Sequence, residues 1–127
     1  MSKITAYKLI VRRSEKELVR DVNKAIEEGY QPRDGPLIAD DGLGQLLVKK
    51  TEYNEEKIQK YLIVGYSAQD DVNAEVSKNL ANGYELYGSI IMDNYARYPA
   101  HLRPPTKFVQ AMVCRKNMNA SAESEKK

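Results

Sequence analysis

Apolar and polar positions alternate along Ile4 to Arg12, with enough β-branched and aromatic residues to predict a strand. The period then changes. Leu18, Val19, Val22, Ala25 and Ile26 fall at i, i+1, i+4, i+7 and i+8, one stripe on a 3.6-residue repeat, so a helix is predicted from the capping box Ser14-Glu-Lys-Glu17 to Glu28. Gly29 stops it, because glycine accepts the left-handed conformation that ends helices. Tyr30 to Ala39 and Leu43 to Thr51 read as a hairpin around the turn residues Asp40-Asp41-Gly42. The same order then returns. Ile58 to Tyr66 is a strand, Ser67-Ala-Gln-Asp70 a weaker capping sequence, and Val72, Val76 and Leu80 a helical stripe ending at Gly83; Tyr84 to Met92 and Lys107 to Arg115 are closing strands.

This return is a duplication. Tyr7 to Val11 recurs from Tyr61 to Val64, Ser14 as Ser67, Asp21 to Lys24 as Glu75 to Lys78, and Gly29-Tyr30 as Gly83-Tyr84, all at an offset of 53 to 54. Gln45 to Lys49 matches Gln110 to Arg115 at an offset of 65, so the second copy carries about 12 extra residues between Gly88 and Lys107. A copy this small is marginal alone. The expected fold is therefore α+β: two tandem strand-helix-strand-strand repeats sharing one mixed or antiparallel sheet, with two helices on one face. Repeat one spans about 4–51, a charged connector 52–57, and repeat two about 58–116 with the insertion at 93–106. Together they make one domain, 1–116. Residues 117–127, rich in Asn, Ala, Ser, Glu and Lys, read as a disordered tail.

Composition narrows the function classes. With one cysteine and one histidine there is no intramolecular disulfide and no Cys/His zinc set, and no metal or cofactor is expected. No apolar run approaches the roughly 20 residues that span a bilayer, and no signal-peptide pattern opens the chain, so a cytoplasmic protein without membrane partners is expected. A net charge of +2 hides an asymmetry. Residues 94–116 carry Arg97, Arg103, Lys107, Arg115 and Lys116 without an acid, which is +5 and leaves −3 for the rest. A pI near 8.6 is less basic than a nucleic-acid footprint, and the last strand lacks the paired aromatics of an RNA-recognition motif, so nucleic acid is not the expected partner.

Residues shared by both copies belong to the scaffold, whereas the insertion owes nothing to it. From Asp93 to Thr106 it holds three of the five prolines and the only histidine, His101. Arginine and lysine beside Tyr87, Tyr95 and Tyr98 suit an anionic, base-containing ligand, with cations on phosphate and a ring stacked on the base. An alternative is an insertion that packs on a second subunit through Tyr95, Tyr98, Leu102 and Pro104-Pro105. No phosphate loop, catalytic triad or Cys/His pair is present, so no catalytic residue is assigned and enzymatic activity is not expected.

The Tyr-x-Leu/Ile-Val strand, the capped helix, Gly-Tyr-x-x-x-Gly (Gly29-Tyr30 to about Gly35; Gly83-Tyr84 to Gly88) and the closing Gln-x-hydrophobic-Val-Lys/Arg strand resemble a small bacterial and phage domain. It is the domain-of-unknown-function family numbered 1737, here in two tandem copies over roughly residues 5–116. The arrangement is also similar to the phage anti-Thoeris sponge proteins. That resemblance implies a non-enzymatic homo-oligomer in the cytoplasm of a bacterial or phage-infected cell. Such proteins sequester cyclic ADP-ribose isomers or cyclic oligonucleotides and so counteract host defence signalling. It also implies an aromatic on the base and Arg and Asn on phosphate and ribose. Candidates by type and location are Tyr84, Tyr87, Asn94, Tyr95, Arg97, Arg103, Lys107 and Arg115.

Overall fold

The computed structural model describes residues 2–115. In chain order they form β1 (Ile4–Arg12), α1 (Glu15–Glu27), β2 (Gln31–Ala39), β3 (Gly42–Lys50), β4 (Lys60–Tyr66), α2 (Gln69–Ala81), β5 (Glu85–Asp93) and β6 (Lys107–Cys114), with a short 3-10 turn at Ala100–Leu102 inside the insertion. The α+β class and the twofold strand-helix-strand-strand order are as expected. The anticipated tail, 117–127, and Lys116 lie outside the described residues.

The duplication extends to the hydrogen-bond register. Tyr7 faces Val48 as Tyr61 faces Val113, and Leu37 faces Gly44 as Ile91 faces Val109. The second strand of each repeat bulges at the same place, between Arg33 and Leu37 in β2 and between Tyr87 and Ile91 in β5. A glutamine holds each bulge. Gln45 Nε2 donates to the carbonyls of Arg33, Asp34 and Leu46, and Gln110 Nε2 to those of Tyr87, Gly88 and Ala111. The Gln that recurs as the fourth residue of each closing strand is thus a bulge clamp. Gln45→Leu would remove those three bonds and leave the Tyr61 hydroxyl, which donates to Gln45 Oε1 at 2.9 Å, buried without its partner. A loss of about 2–3 kcal/mol is expected, measured by urea unfolding.

Two details depart from the motif reading. The left-handed partner of Gly88 (φ 71°) is Asp34 (φ 60°), one residue before Gly35, so the structural offset is 54 throughout the first three elements of each repeat. Aspartate is among the few side chains that tolerate this conformation. At the helix starts, Ser14 accepts from the Glu17 amide and its hydroxyl donates to the Glu17 carboxylate, whereas Ser67 does not cap: Ala68 occupies that position without a side-chain bond.

The strands form two three-stranded antiparallel sheets, β1-β3-β2 and β4-β6-β5, in place of one shared sheet. The physical reason lies at β2 and β5, the edges that adjoin. Pro32 and Pro36 remove backbone donors from β2, and the paired bulges turn both strands out of line, so they cross at Gly35 and Gly88. The helices accordingly do not lie on one face of a common sheet. α1 sits on the first sheet, and Leu18, Val22, Ala25 and Ile26 pack with Ile10, Leu43 and Leu47. The same core takes in Tyr61, Ala111 and Val113 from one face of the second sheet. α2 covers the opposite face of that sheet, where Val64, Val72 and Met112 meet. The second sheet therefore lies between the two helices. Asn23 of α1 fastens the junction: its side-chain amide donates to the Tyr61 carbonyl and accepts from the Tyr61 amide, both at 2.9 Å, satisfying the free edge of β4.

Candidate functional site

The insertion is built around a buried ion pair. Asp93 is fully buried and the Arg97 side chain 5% exposed, and the guanidinium donates to both carboxylate oxygens at 2.9 and 3.1 Å. Asp93 Oδ1 also accepts from the Tyr95 amide, and Asn94 Oδ1 from the Ala96 amide, so the chain turns tightly with Tyr95 left-handed (φ 58°). The Tyr95 and Tyr98 rings stack at 5.8 Å, with the Arg97 guanidinium over both. Arg103 closes the loop by donating to the Tyr95, Ala96 and Tyr98 carbonyls. This unit then latches onto repeat one: Arg97 Nε donates to the Arg13 carbonyl, and Lys107 and the Tyr95 hydroxyl both meet the Glu15 carboxylate. Burial, then the Glu15 charge, raises the Tyr95 phenol far above its ordinary pKa, so it is a neutral donor. Asn94, Tyr95, Arg97, Arg103 and Lys107 are thus brought together, and each has a structural partner within the chain.

The other candidates lie elsewhere. Tyr84 packs against the α2 core on the far face of the second sheet. Tyr87 and Arg115 sit at the opposite end of that sheet from the insertion, where they line a cavity of about 320 Å³ between the repeats, roofed by the connector. Gln31 holds the connector here, donating to the Ile58 carbonyl and accepting from its amide. Arg115 donates to Glu85 and to the Glu56 carbonyl and pairs with Glu55 at 3.3 Å.

Three lining cations were not apparent from the sequence: Arg33, Lys50 and Lys57. The Lys57 ammonium lies over the Tyr53 ring at 5.0 Å. Among the described residues, the Arg33 guanidinium and the Lys50 ammonium make no hydrogen bond or ion pair. Asp34, Glu52, Glu55 and Glu56 also line the space, so the wall carries both signs. Burial above all, then the nearby Asp34 charge, pushes the Tyr87 phenol up to about 12, with Arg115 and Arg33 pulling the other way. At neutral pH Tyr87 is a hydroxyl donor beside two uncommitted cations. One signal was in the sequence: Arg33 and Tyr87 are the same position of the two repeats, and they differ.

Among the described residues no cluster of three His, Cys, Asp or Glu could hold a metal ion, and no helix is long and apolar enough to cross a membrane. Comparison with family models, curated proteins and solved structures gave no match. The chemistry of the cavity is therefore read from its own residues.

Proposed function

We propose that the protein is a non-catalytic binding module that captures a small anionic, nucleotide-like ligand in the cavity between its repeats. The observation that carries this reading is the convergence of Arg33 and Lys50, two cations without a partner among the described residues, with the Tyr87 hydroxyl on one half-open cavity. Its volume is at the lower end of the roughly 300–1,000 Å³ usual for small-molecule sites, which suits one nucleotide-sized unit. Phosphate oxygens would pair with Arg33 and Lys50, while Tyr87 donates to a polar edge and Tyr53 offers a ring face. The carboxylates supply acceptors for ribose hydroxyls or a base amine. Arg115, braced by Glu55 and Glu85, shapes the wall and sets its potential.

The resemblance in the sequence supplies the ligand class: a cyclic ADP-ribose isomer, or a cyclic oligonucleotide held by part of its ring. Capture of such a signal in a bacterial cytoplasm would blunt host defence signalling without any bond being made or broken. Isothermal titration calorimetry with these ligands tests the reading. Arg33→Ala and Lys50→Ala are each expected to weaken binding about tenfold or more, the worth of a charge-assisted hydrogen bond, and Lys24→Ala on α1 to leave it unchanged. No heat with any of these ligands, or equal losses for Arg33→Ala and Lys24→Ala, would defeat it.

A further inference from the structure

The junction between the repeats is directional. The helix-bearing side of repeat one, α1 with the inner face of its sheet, receives the bare face of the second sheet. At its centre is Tyr61, 2% exposed: its backbone is held by Asn23, its ring packs in the core with Leu18 and Val22, and its hydroxyl donates to Gln45 Oε1. The two halves of this contact each have an unused duplicate. The helix-bearing side of repeat two carries a groove of about 340 Å³ between α2 and β5, lined by Val72, Val76, Ser77, Leu86, Ile90 and Gln110. Those positions are the counterparts of Leu18, Val22, Asn23, Pro32, Pro36 and Gln45 at offsets of 54 and, for the glutamine, 65. Leu86 is 56% and Ile90 50% exposed, and Gln110 Oε1 accepts no hydrogen bond among the described residues. The bare face of repeat one, in turn, presents the counterpart of Tyr61. It is Tyr7, 67% exposed at the free edge strand β1, with Leu9 exposed next to it on that face and Leu37 exposed further along the sheet beside Val11.

We propose that a second copy of this chain docks here, its Tyr7 entering the groove between α2 and β5 and its hydroxyl donating to Gln110 Oε1, so that the contact between chains repeats the contact between repeats. Two further observations select another copy as the occupant. The groove and the knob are the duplicates of surfaces already joined within one chain, so their shapes derive from a proven pair. Exposed apolar side chains on both are the usual mark of a contact surface. Ser77 offers β1 a single hydroxyl where Asn23 gives β4 a two-pronged amide, with Asn73 one turn earlier on the same helix face. Because the contact joins unlike surfaces, two chains can satisfy each other reciprocally in a ring of four repeats, or pass the contact on to more chains. No ligand is required.

Native mass spectrometry and light scattering of the full chain test the docking. The wild type is expected as an assembly of two or more chains. Tyr7→Asp and Ile90→Asp, with circular dichroism unchanged, are each expected as single chains, since both positions are solvent-facing within one chain. Mixing them is expected to restore a two-chain species, because the first retains an intact groove and the second an intact tyrosine. If Ile90→Asp does not fold, Leu86→Asp takes its place. A single-chain wild type overturns the proposal, and so does an assembly unaffected by either substitution or a mixture that stays single-chain.

Discussion

Asp93→Ala is expected to cost about 3–5 kcal/mol and to lower the midpoint of thermal unfolding by at least about 10 °C. The carboxylate is fully buried, and it satisfies both the Arg97 guanidinium and the Tyr95 amide. Removing it leaves a positive charge stranded at a site where the Arg97 side chain is 5% exposed, and that desolvation penalty is the dominant part of the cost. Because Arg97 also fixes the Arg13 carbonyl and both stacked tyrosines, the insertion would come away from the start of α1. Increased protease cleavage within Asn94–Thr106, before global unfolding, is the expected accompaniment. Should Asp93→Ala unfold within about 1 kcal/mol of wild type, the insertion is not the latch described here.

Gly88→Ala is the second large effect. The residue is left-handed (φ 71°), which costs an alanine roughly 1–2 kcal/mol, and its Cα faces Gly35 where β2 and β5 cross. A Cβ on Gly88 would press directly on the Gly35 Cα and amide nitrogen, closer than any ordinary contact and against backbone atoms that no rotamer change can move. Adding a methyl at Gly88 therefore combines strain with a backbone clash, and a loss of about 3 kcal/mol or more is expected, with the two sheets forced apart. Asp34→Gly supplies the control. It sits at the equivalent left-handed position of repeat one, so glycine there relieves strain and is expected to leave stability unchanged or slightly raised, as chemical denaturation would show.

The elements were legible because each is written in local periodicity: the α1 stripe names the four helix residues that are buried, and β1 falls at Ile4–Arg12 as the alternation indicates. Ile58 and Gln59 also look like strand, but Gln31 takes both backbone groups of Ile58, so β4 starts at Lys60. The division into two sheets was not legible. It depends on what happens between β2 and β5, elements more than fifty residues apart, and the bulge that separates them is positioned by an aspartate no turn rule demands.

The candidate site was legible only in part, for a reason of a different kind. Counting charges finds the basic insertion but is blind to partners: Arg97 is committed to Asp93, and Arg103 to three carbonyls. Arg33 looked like an ordinary strand residue, and the connector like a solvated bridge, until folding placed both on the cavity that also holds Tyr87 and Arg115.

An amide NMR titration of the isotope-labelled full chain with cyclic ADP-ribose isomers and cyclic oligonucleotides tests ligand capture most directly. Saturable shifts are expected, concentrated at Gln31–Asp34, Lys50–Ile58 and Tyr87, with the insertion amides of Asn94–Thr106 unmoved. Shifts confined to Asn94–Thr106, or none with any of these ligands, would contradict it.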